Sequence, residues 1–338
     1  MKAWQYDDVE KGIENSLHLR DIPAPSSSTL SKGELLVEVI SASINPVDYK
    51  LPENGGLVAK VMVKYPAIPG LDYCGRVVAT KSSDFQEGQL VFGALSGVPQ
   101  PQYGTLAQLI VVPAANTALL PMSIEPDSAA AIGTAALTAY MSLLPSGPSL
   151  QNQRVFINGG SGGVGTFTIQ FAKVLGAHVT ASCSSRNIDL CRRLGADDVI
   201  DYTKSDLVSK LSQEGEVYDL VIDNAGTPAT LYESCQKFLK PEGTFVQVAA
   251  SPSLTGIASM VGRKILPKII GGGRRRFHWV TLKPKKEYFQ LIGKWMAEGN
   301  VQSVVDETFA YDDAPRAFER LKTGRATGKL IIRVGSKN

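Results

Sequence analysis

Hydrophobic and polar positions alternate in short runs over the first 125 residues. Glu34-Leu-Leu-Val-Glu-Val-Ile40 and Gly75-Arg-Val-Val-Ala79 read as strands, and Pro23, Pro25, Pro46, Pro52, Pro66, Pro69, Pro99 and Pro101 punctuate the region. Many short strands with dense turn signals predict a barrel or sandwich. The pattern changes near Pro126. Residues 127–143 lack strand alternation and predict a helix. The chain then alternates: a strand Arg154–Asn158, a helix closed by Gly176, a strand His178–Ser182, a helix Asn187–Leu194, and strands Asp198–Ile200 and Leu220–Asp223. A helix Thr230–Leu239, a turn at Pro241-Glu-Gly243 and a strand Thr244–Val248 follow. Alternating strands and helices with short loops imply a parallel sheet with crossover helices. The tail, with helices at 286–298 and 312–323 and strands at 304–310 and 329–334, resembles the first region again. The expectation is an α/β chain in which residues 1–125 and 284–338 form a β-rich domain around a parallel-sheet domain of residues 126–283.

Composition changes this picture little. Of 338 residues, 43% are hydrophobic and 20% charged, and the formal charge is +3. Such values suit a folded protein of two domains and give no general pull toward nucleic acid. The uncharged stretch Ser128–Gln153 is rich in small residues and broken by Gly and Pro, so it reads as a buried helix and a loop rather than a membrane span. The N-terminus MKAWQYDDVEKG has no apolar core of a signal peptide, and a cytoplasmic location is expected. The charge is unevenly placed. Nine of the 35 bases and no acid lie between Glu242 and Glu287, leaving 26 bases against 32 acids elsewhere. This segment, Arg263–Lys286, reads either as a lid that attracts an anionic carrier or CoA thioester, or as a solvated basic face with a few buried anchors.

The sharpest motif is Asn158-Gly-Gly-Ser-Gly-Gly-Val-Gly165. It holds Gly160-x-Gly162-x-x-Gly165 directly after a strand and before a helix, the context of a dinucleotide-binding turn. Gly160 is expected to make the tight turn, Gly162 to let the backbone approach a pyrophosphate, and Gly165 to let helix and strand pack closely. The loop Gly160, Ser161, Gly162, Gly163, Val164 and Gly165 would cradle the phosphates with free N–H groups. The second strand ends Ser182-Cys-Ser-Ser-Arg-Asn187, without the acid that holds a ribose 2′-hydroxyl. Ser184 and Arg186 suit a 2′-phosphate, so NADPH is the expected cofactor. Tyr202 reads equally as a neighbour of that phosphate or as a packing residue.

Four cysteines (Cys74, Cys183, Cys191, Cys235) and three histidines (His18, His178, His278) are scattered, with no CxxC, and give no zinc-site spacing. Further stretches carry a resemblance: Ser43-Ile-Asn-Pro-Val-Asp-Tyr-Lys50, Pro69-Gly-Leu-Asp-Tyr-Cys-Gly75, Gly133-Thr-Ala-Ala-Leu-Thr-Ala-Tyr140, Leu194-Gly-Ala-Asp-Asp-Val-Ile-Asp-Tyr202 and Gly324-Arg-Ala-Thr-Gly-Lys-Leu-Ile-Ile332. With the glycine loop, they make the chain resemble the zinc-free quinone oxidoreductase and enoyl reductase branch of the medium-chain dehydrogenase/reductase superfamily over essentially its whole length. The resemblance implies a GroES-like catalytic domain, a doubly wound Rossmann cofactor domain, and an active site in the cleft between them. Zinc-dependent relatives carry Cys, His and Cys where Asn45, Leu71 and Thr134 fall, so no metal is expected here.

Without a Lewis acid, conjugated acceptors are the easier substrates, because charge spreads onto an enolate or quinone oxygen. The expected reaction is hydride transfer from NADPH to a quinone, enone or other α,β-unsaturated carbonyl. The alternatives are a trans-acting enoyl reductase of a polyketide pathway and a non-catalytic, crystallin-like or scaffold NADPH-binding protein. Asn45, Tyr49, Lys50 and Thr134 are the candidate catalytic residues. Each has a plain structural alternative: a turn asparagine, a packing tyrosine, a solvated lysine and a helix threonine. Thr138, Asn224 and Gly226 are expected near the nicotinamide, and the resemblance gives Lys329 a contact with the pyrophosphate. Ala249 and Phe277 complete the expected cofactor set. A monomer or homodimer is expected.

Overall fold

The computed structural model describes residues 1–96, 99–248, 256, 258, 261–263 and 275–335. The chain divides into two compact units, Met1–Leu137 with Leu282–Asn338, and Thr138–Thr281.

The first unit is built on a seven-stranded mixed sheet. Its long central strand, Glu34–Ile44, pairs antiparallel with Asp72–Thr80 on one side. On its other side it pairs with Leu109–Pro113 near its start and with Lys329–Arg333 near its end. The last of these lies against Ser41–Ile44, with Val305–Ala310 parallel beyond it. Leu90–Ala94 and Thr117–Leu119 extend the opposite edge. Both faces of the central strand are largely covered: Leu35, Val37 and Val39 enter the main core and Leu36 a smaller cluster with Leu30 and Ala79, while Glu38 is exposed. The core adds Tyr6, Ile13, Tyr73 and, from the helix Ala314–Lys322, Ala314, Ala317 and Phe318. Two helices follow the central strand, Pro46–Asn54 and Leu57–Met62. The stretch read as a buried helix forms two, Pro126–Ala130 and Gly133–Leu143, the second crossing the division between units. No helix among the described residues is long and apolar enough to cross a membrane.

The second unit holds a six-stranded, all-parallel sheet. Written by position, its order is Asp198–Asp201, His178–Cys183, Arg154–Asn158, Tyr218–Asp223, Leu239–Gln247 and Arg276–Trp279. In chain order this is 3-2-1-4-5-6, the doubly wound arrangement whose switch point lies between the first and fourth strands. The sequence pattern overstates one helix. Thr230–Leu239 is a single turn at Leu231–Ser234 and a 3₁₀ turn at Cys235–Lys237. The fifth strand starts at Leu239, opposite Tyr218, and runs through Pro241. Phe238, Leu239 and Phe245 are drawn into one apolar cluster with Phe156 and Tyr218, which favours the ladder over a longer helix.

Candidate active site

In the second unit the glycine loop joins the first strand to the helix Gly163–Val174. The left-handed residue of the turn is Gly159, at φ 78°, rather than Gly160. Gly160 is instead a packing glycine, where a Cβ would lie 2.9 Å from the Ala181 methyl and 3.1 Å from Ile169 Cδ1. At Gly165 a Cβ would fall 2.1 Å from the Gly159 carbonyl oxygen and 2.8 Å from Gly160 backbone, so only glycine lets the helix leave the strand this closely. Gly162 is different: its added Cβ would meet only the Gly159 oxygen, at 3.6 Å. Gly162 is also the helix N-cap, and no side chain caps that helix start. An open face beside uncapped N–H groups is a cradle for a pyrophosphate.

The loop is braced from beneath. Asn158 Nδ2 donates to Asp223 Oδ1 at 2.8 Å and to the Thr227 carbonyl at 2.7 Å, and its Oδ1 accepts from Ser182 Oγ at 2.7 Å. Asp223 Oδ1 also accepts from Gly226 N at 2.8 Å, and burial pushes this carboxyl above the usual range. Gly226 has φ 71°, so the chain turns there. The neighbouring Asn224 amide has neither its oxygen nor its nitrogen hydrogen-bonded within the protein, though both atoms are buried. Such an amide is costly unless something binds it. Open Gly162, uncapped helix and orphaned Asn224 together fit a dinucleotide at this end of the sheet.

At the end of the second strand, Ser184 precedes a 3₁₀ turn containing the exposed Arg186. Ser161 Oγ accepts from Asn187 Nδ2 at 2.9 Å, tying this turn to the glycine loop. Tyr202 is exposed at the end of the third strand, and its N–H donates to the Cys183 carbonyl. The sequence reading missed Asp201, which lies in register with Cys183. Its carboxylate accepts from Ser185 Oγ at 2.5 Å, Thr203 Oγ1 at 2.6 Å and Thr203 N at 3.0 Å, and these bonds hold its pKa below the usual carboxylate value. The doubled Ser184-Ser185 was the available signal, since one serine can brace while the other faces a ligand. Phe277 lies in the sixth strand, stacked on Phe245 and edge-on to Tyr232, within the sheet's apolar packing. Ala249 lies outside the described residues, as do Lys264, Lys268 and Arg274 of the basic segment.

In the first unit, Asn45 and Thr134 converge on Asp72. Asn45 Nδ2 donates to Asp72 Oδ2 at 2.8 Å, and Ser43 Oγ to the same oxygen at 2.9 Å. Thr134 donates to Asp72 Oδ1 through both its N and its Oγ1, each at 2.6 Å. Lys329 reaches the cluster from the C-terminal strand. Its ammonium donates to Asn45 Oδ1, to the Ile44 carbonyl at 3.0 Å and, at 3.4 Å, to Asp72 Oδ2. Lys329 is 4% exposed and burial lowers its pKa, an effect opposed mainly by the charge of Asp72. Asp48, at the start of the helix that Asn45 caps, accepts from Asn45 N at 2.7 Å. Burial raises Asp48 to about 7. Tyr49 is outside this cluster: it is half-buried, with the Lys322 ammonium 5.8 Å from its ring centroid. Burial and Glu53 raise its phenol above the ordinary value. Lys50 is exposed. Thr138 is buried one turn beyond Thr134. Among the described residues no group of three or more His, Cys, Asp or Glu is placed to hold a metal.

Residues 31–122 match the alcohol dehydrogenase GroES-like domain family, and residues 194–332 match the zinc-binding dehydrogenase family. The trans-enoyl reductase pgmF of Aspergillus terreus is 40% identical over 346 residues, covering 99% of this chain and 96% of that protein. The chloroplastic quinone-oxidoreductase homolog of Spinacia oleracea is 30% identical, covering 98% of each. Among solved structures, the quinone oxidoreductase from Coxiella burnetii superposes with a TM-score of 0.84 at 28% identity over 99% of both chains. The glycine loop, the 3-2-1-4-5-6 sheet and these full-length likenesses agree: the chain belongs to the zinc-free quinone oxidoreductase and enoyl reductase branch of the medium-chain dehydrogenase/reductase superfamily, and it is a hydride-transfer oxidoreductase.

Proposed function

We propose that this enzyme uses NADPH to reduce a conjugated carbonyl acceptor without a metal. The observation that carries the reading is the uncapped helix start behind open Gly162, beside a second strand that is followed by Ser184, Ser185 and Arg186 with no carboxylate among them. Ser184 Oγ and the Arg186 guanidinium would hold the 2′-phosphate, with Tyr202 and Lys204 at the next strand end. Asp201 is the carboxylate nearest in sequence register, and hydroxyl donors already engage it. The loop from Gly160 to Gly165 would hold the pyrophosphate, and Asn224 and Gly226 the nicotinamide. When bound, the reduced nicotinamide supplies the hydride.

The chain's own residues then have three tasks. Asn45 offers an amide N–H to the acceptor oxygen, where negative charge develops as the β-carbon is reduced. Thr134, donating through both N and Oγ1 to Asp72, steadies the carboxylate that holds the Asn45 amide. Tyr49 and Lys50 are the candidate proton sources for the resulting enolate. The relative at 40% identity favours an enoyl thioester over a quinone, since the quinone oxidoreductase homologue shares 30%. A trans-acting enoyl reductase working on a carrier-bound chain in the cytosol is therefore the more specific reading, as a monomer or homodimer. The basic segment is the proposed contact for an acidic carrier or CoA.

NADPH and NADH oxidation against a panel of quinones, enones and enoyl thioesters tests this. Turnover with NADPH preferred at least about tenfold is expected, with an enoyl thioester the best acceptor. NADH preference would overturn the roles of Ser184 and Arg186. Cofactor binding with no turnover on any acceptor would favour the non-catalytic reading.

A further inference from the structure

We propose that Lys329 and Asp72 are positioning residues that fix the rotation of the Asn45 amide, and so determine which N–H an acceptor oxygen meets. This rests on the role given to Asn45 above. An asparagine amide has nearly the same shape either way round, so only its partners define its orientation. Here the partners leave no ambiguity. An ammonium can only donate, and Lys329 meets Oδ1. A carboxylate only accepts, and Asp72 meets Nδ2 at 2.8 Å. One Nδ2 hydrogen is used by Asp72, and the other is left for a ligand.

The hub is built for this. Asp72 is fully buried, and a Cβ at Gly133 would come 2.2 Å from its carboxyl carbon, so glycine is what allows the helix start to close on it. Both Thr134 donors then reach Asp72 Oδ1. Lys329 has three N–H donors, and Ile44 O, Asn45 Oδ1 and Asp72 Oδ2 take all three. No donor remains for a pyrophosphate, the contact that the sequence resemblance gives this residue. Buried ion pairs of this kind stabilise weakly but can fix one arrangement against others.

The test is Lys329→Met, which keeps the stem and removes the donor. The expected result is a kcat lower by on the order of 100-fold, with the NADPH Kd from fluorescence titration within about twofold and the acceptor KM within about threefold. Because Lys329→Met leaves Asp72 charged and buried, the double variant Lys329→Met/Asp72→Asn serves if the single one does not fold. It should regain thermal stability while kcat stays low. The Asn45 side-chain NH₂ resonance, assigned by its loss in Asn45→Ala, should move in both variants whether or not an acceptor is known. An NADPH Kd raised about tenfold or more would mean that Lys329 contacts cofactor and would overturn the proposal. An unchanged kcat, or an unmoved Asn45 resonance, would do the same. Absence of turnover in the unmodified enzyme would instead count against the proposed function, and the resonance would still decide the positioning role.

Discussion

Glycine-to-alanine substitutions at Gly162 and Gly165 should have opposite consequences. Gly162 lies at φ −79° and ψ 173°, a conformation alanine adopts freely, and nothing within 3.5 Å would meet its methyl. Gly162→Ala should leave thermal stability unchanged or raise it by up to about 1 kcal/mol through the unfolded chain. It should weaken NADPH binding about tenfold or more by placing a methyl where the pyrophosphate approaches. Gly165→Ala puts that methyl into backbone at 2.1 Å, which cannot move aside like a side chain, so thermal unfolding should fall by several degrees along with cofactor affinity. Asp48 carries a different prediction. Its folded pKa of about 7 lies above the ordinary carboxylate value because burial penalises the charge. Between roughly pH 4 and 7 the unfolded chain has released this proton and the folded chain has kept it, so the group's contribution to stability is greatest below that window and falls as pH rises. The slope from this one group is at most about 1.4 kcal/mol per pH unit. Asp48→Asn should therefore gain in melting temperature relative to the parent as pH rises from 4.5 to 7.5. A difference that stays flat or declines across that range would contradict the account.

At the scale of elements, the basic segment separates into residues with internal partners and residues facing outward. Arg275 donates to the carbonyls of Leu239 and Gln236 at 2.9 and 3.1 Å and pairs with Glu216 at 3.0 Å, anchoring the start of the sixth strand to the start of the fifth. Arg263 pairs with Glu233 and lies over the Tyr232 ring. Arg276, next in sequence to Arg275, is highly exposed and 3.9 Å from Glu242. Arg275→Ala should cost about 2 kcal/mol in urea unfolding, since charge-assisted bonds to part-buried carbonyls are lost, while Arg276→Ala should cost under about 0.5. If the segment serves an anionic carrier, only Arg276→Ala should change the salt dependence of carrier-bound turnover without touching stability. This strand also shows what the hydrophobic pattern could not carry. Arg-Phe-His-Trp sits among bases, pairs on one side only among the described residues, and has no alternation long enough to register. The helix Leu207–Glu214 carries local signals in its sequence: Asp206 accepts from Ser209 N as its cap, Leu207 and Leu211 are buried four apart, and Gly215 ends it. The glycine loop was legible because its glycines are close in sequence and answer local demands: a left-handed turn at Gly159, close packing at Gly160 and Gly165, and an open face at Gly162. The Asp72 cluster was not, because residues 43, 45, 72, 134 and 329 meet only after the chain has folded, and a pattern along the sequence does not encode that convergence.

For the molecule as a whole, a linkage measurement reads the proposed choice between NADPH and NADH without an acceptor. A ligand that binds only the folded chain stabilises it by an amount set by its concentration over its Kd. At equal concentrations well above both Kd values, a tenfold preference for NADPH over NADH adds about 1.4 kcal/mol. For a chain of this size that is a further rise in melting temperature on the order of 2 °C beyond the NADH shift. Arg186→Ala should remove most of this difference while leaving the NADH shift in place, since the adenosine without its phosphate makes no use of the guanidinium. Glycine-loop substitution at Gly162 should instead lower both shifts together, because both cofactors share the pyrophosphate. If Arg186→Ala lowers the two shifts equally, the residue serves the loop or the pyrophosphate, and the 2′-phosphate is recognised elsewhere. The two variants thus place phosphate recognition at the second strand's end or exclude it from there, independently of which conjugated acceptor the enzyme reduces.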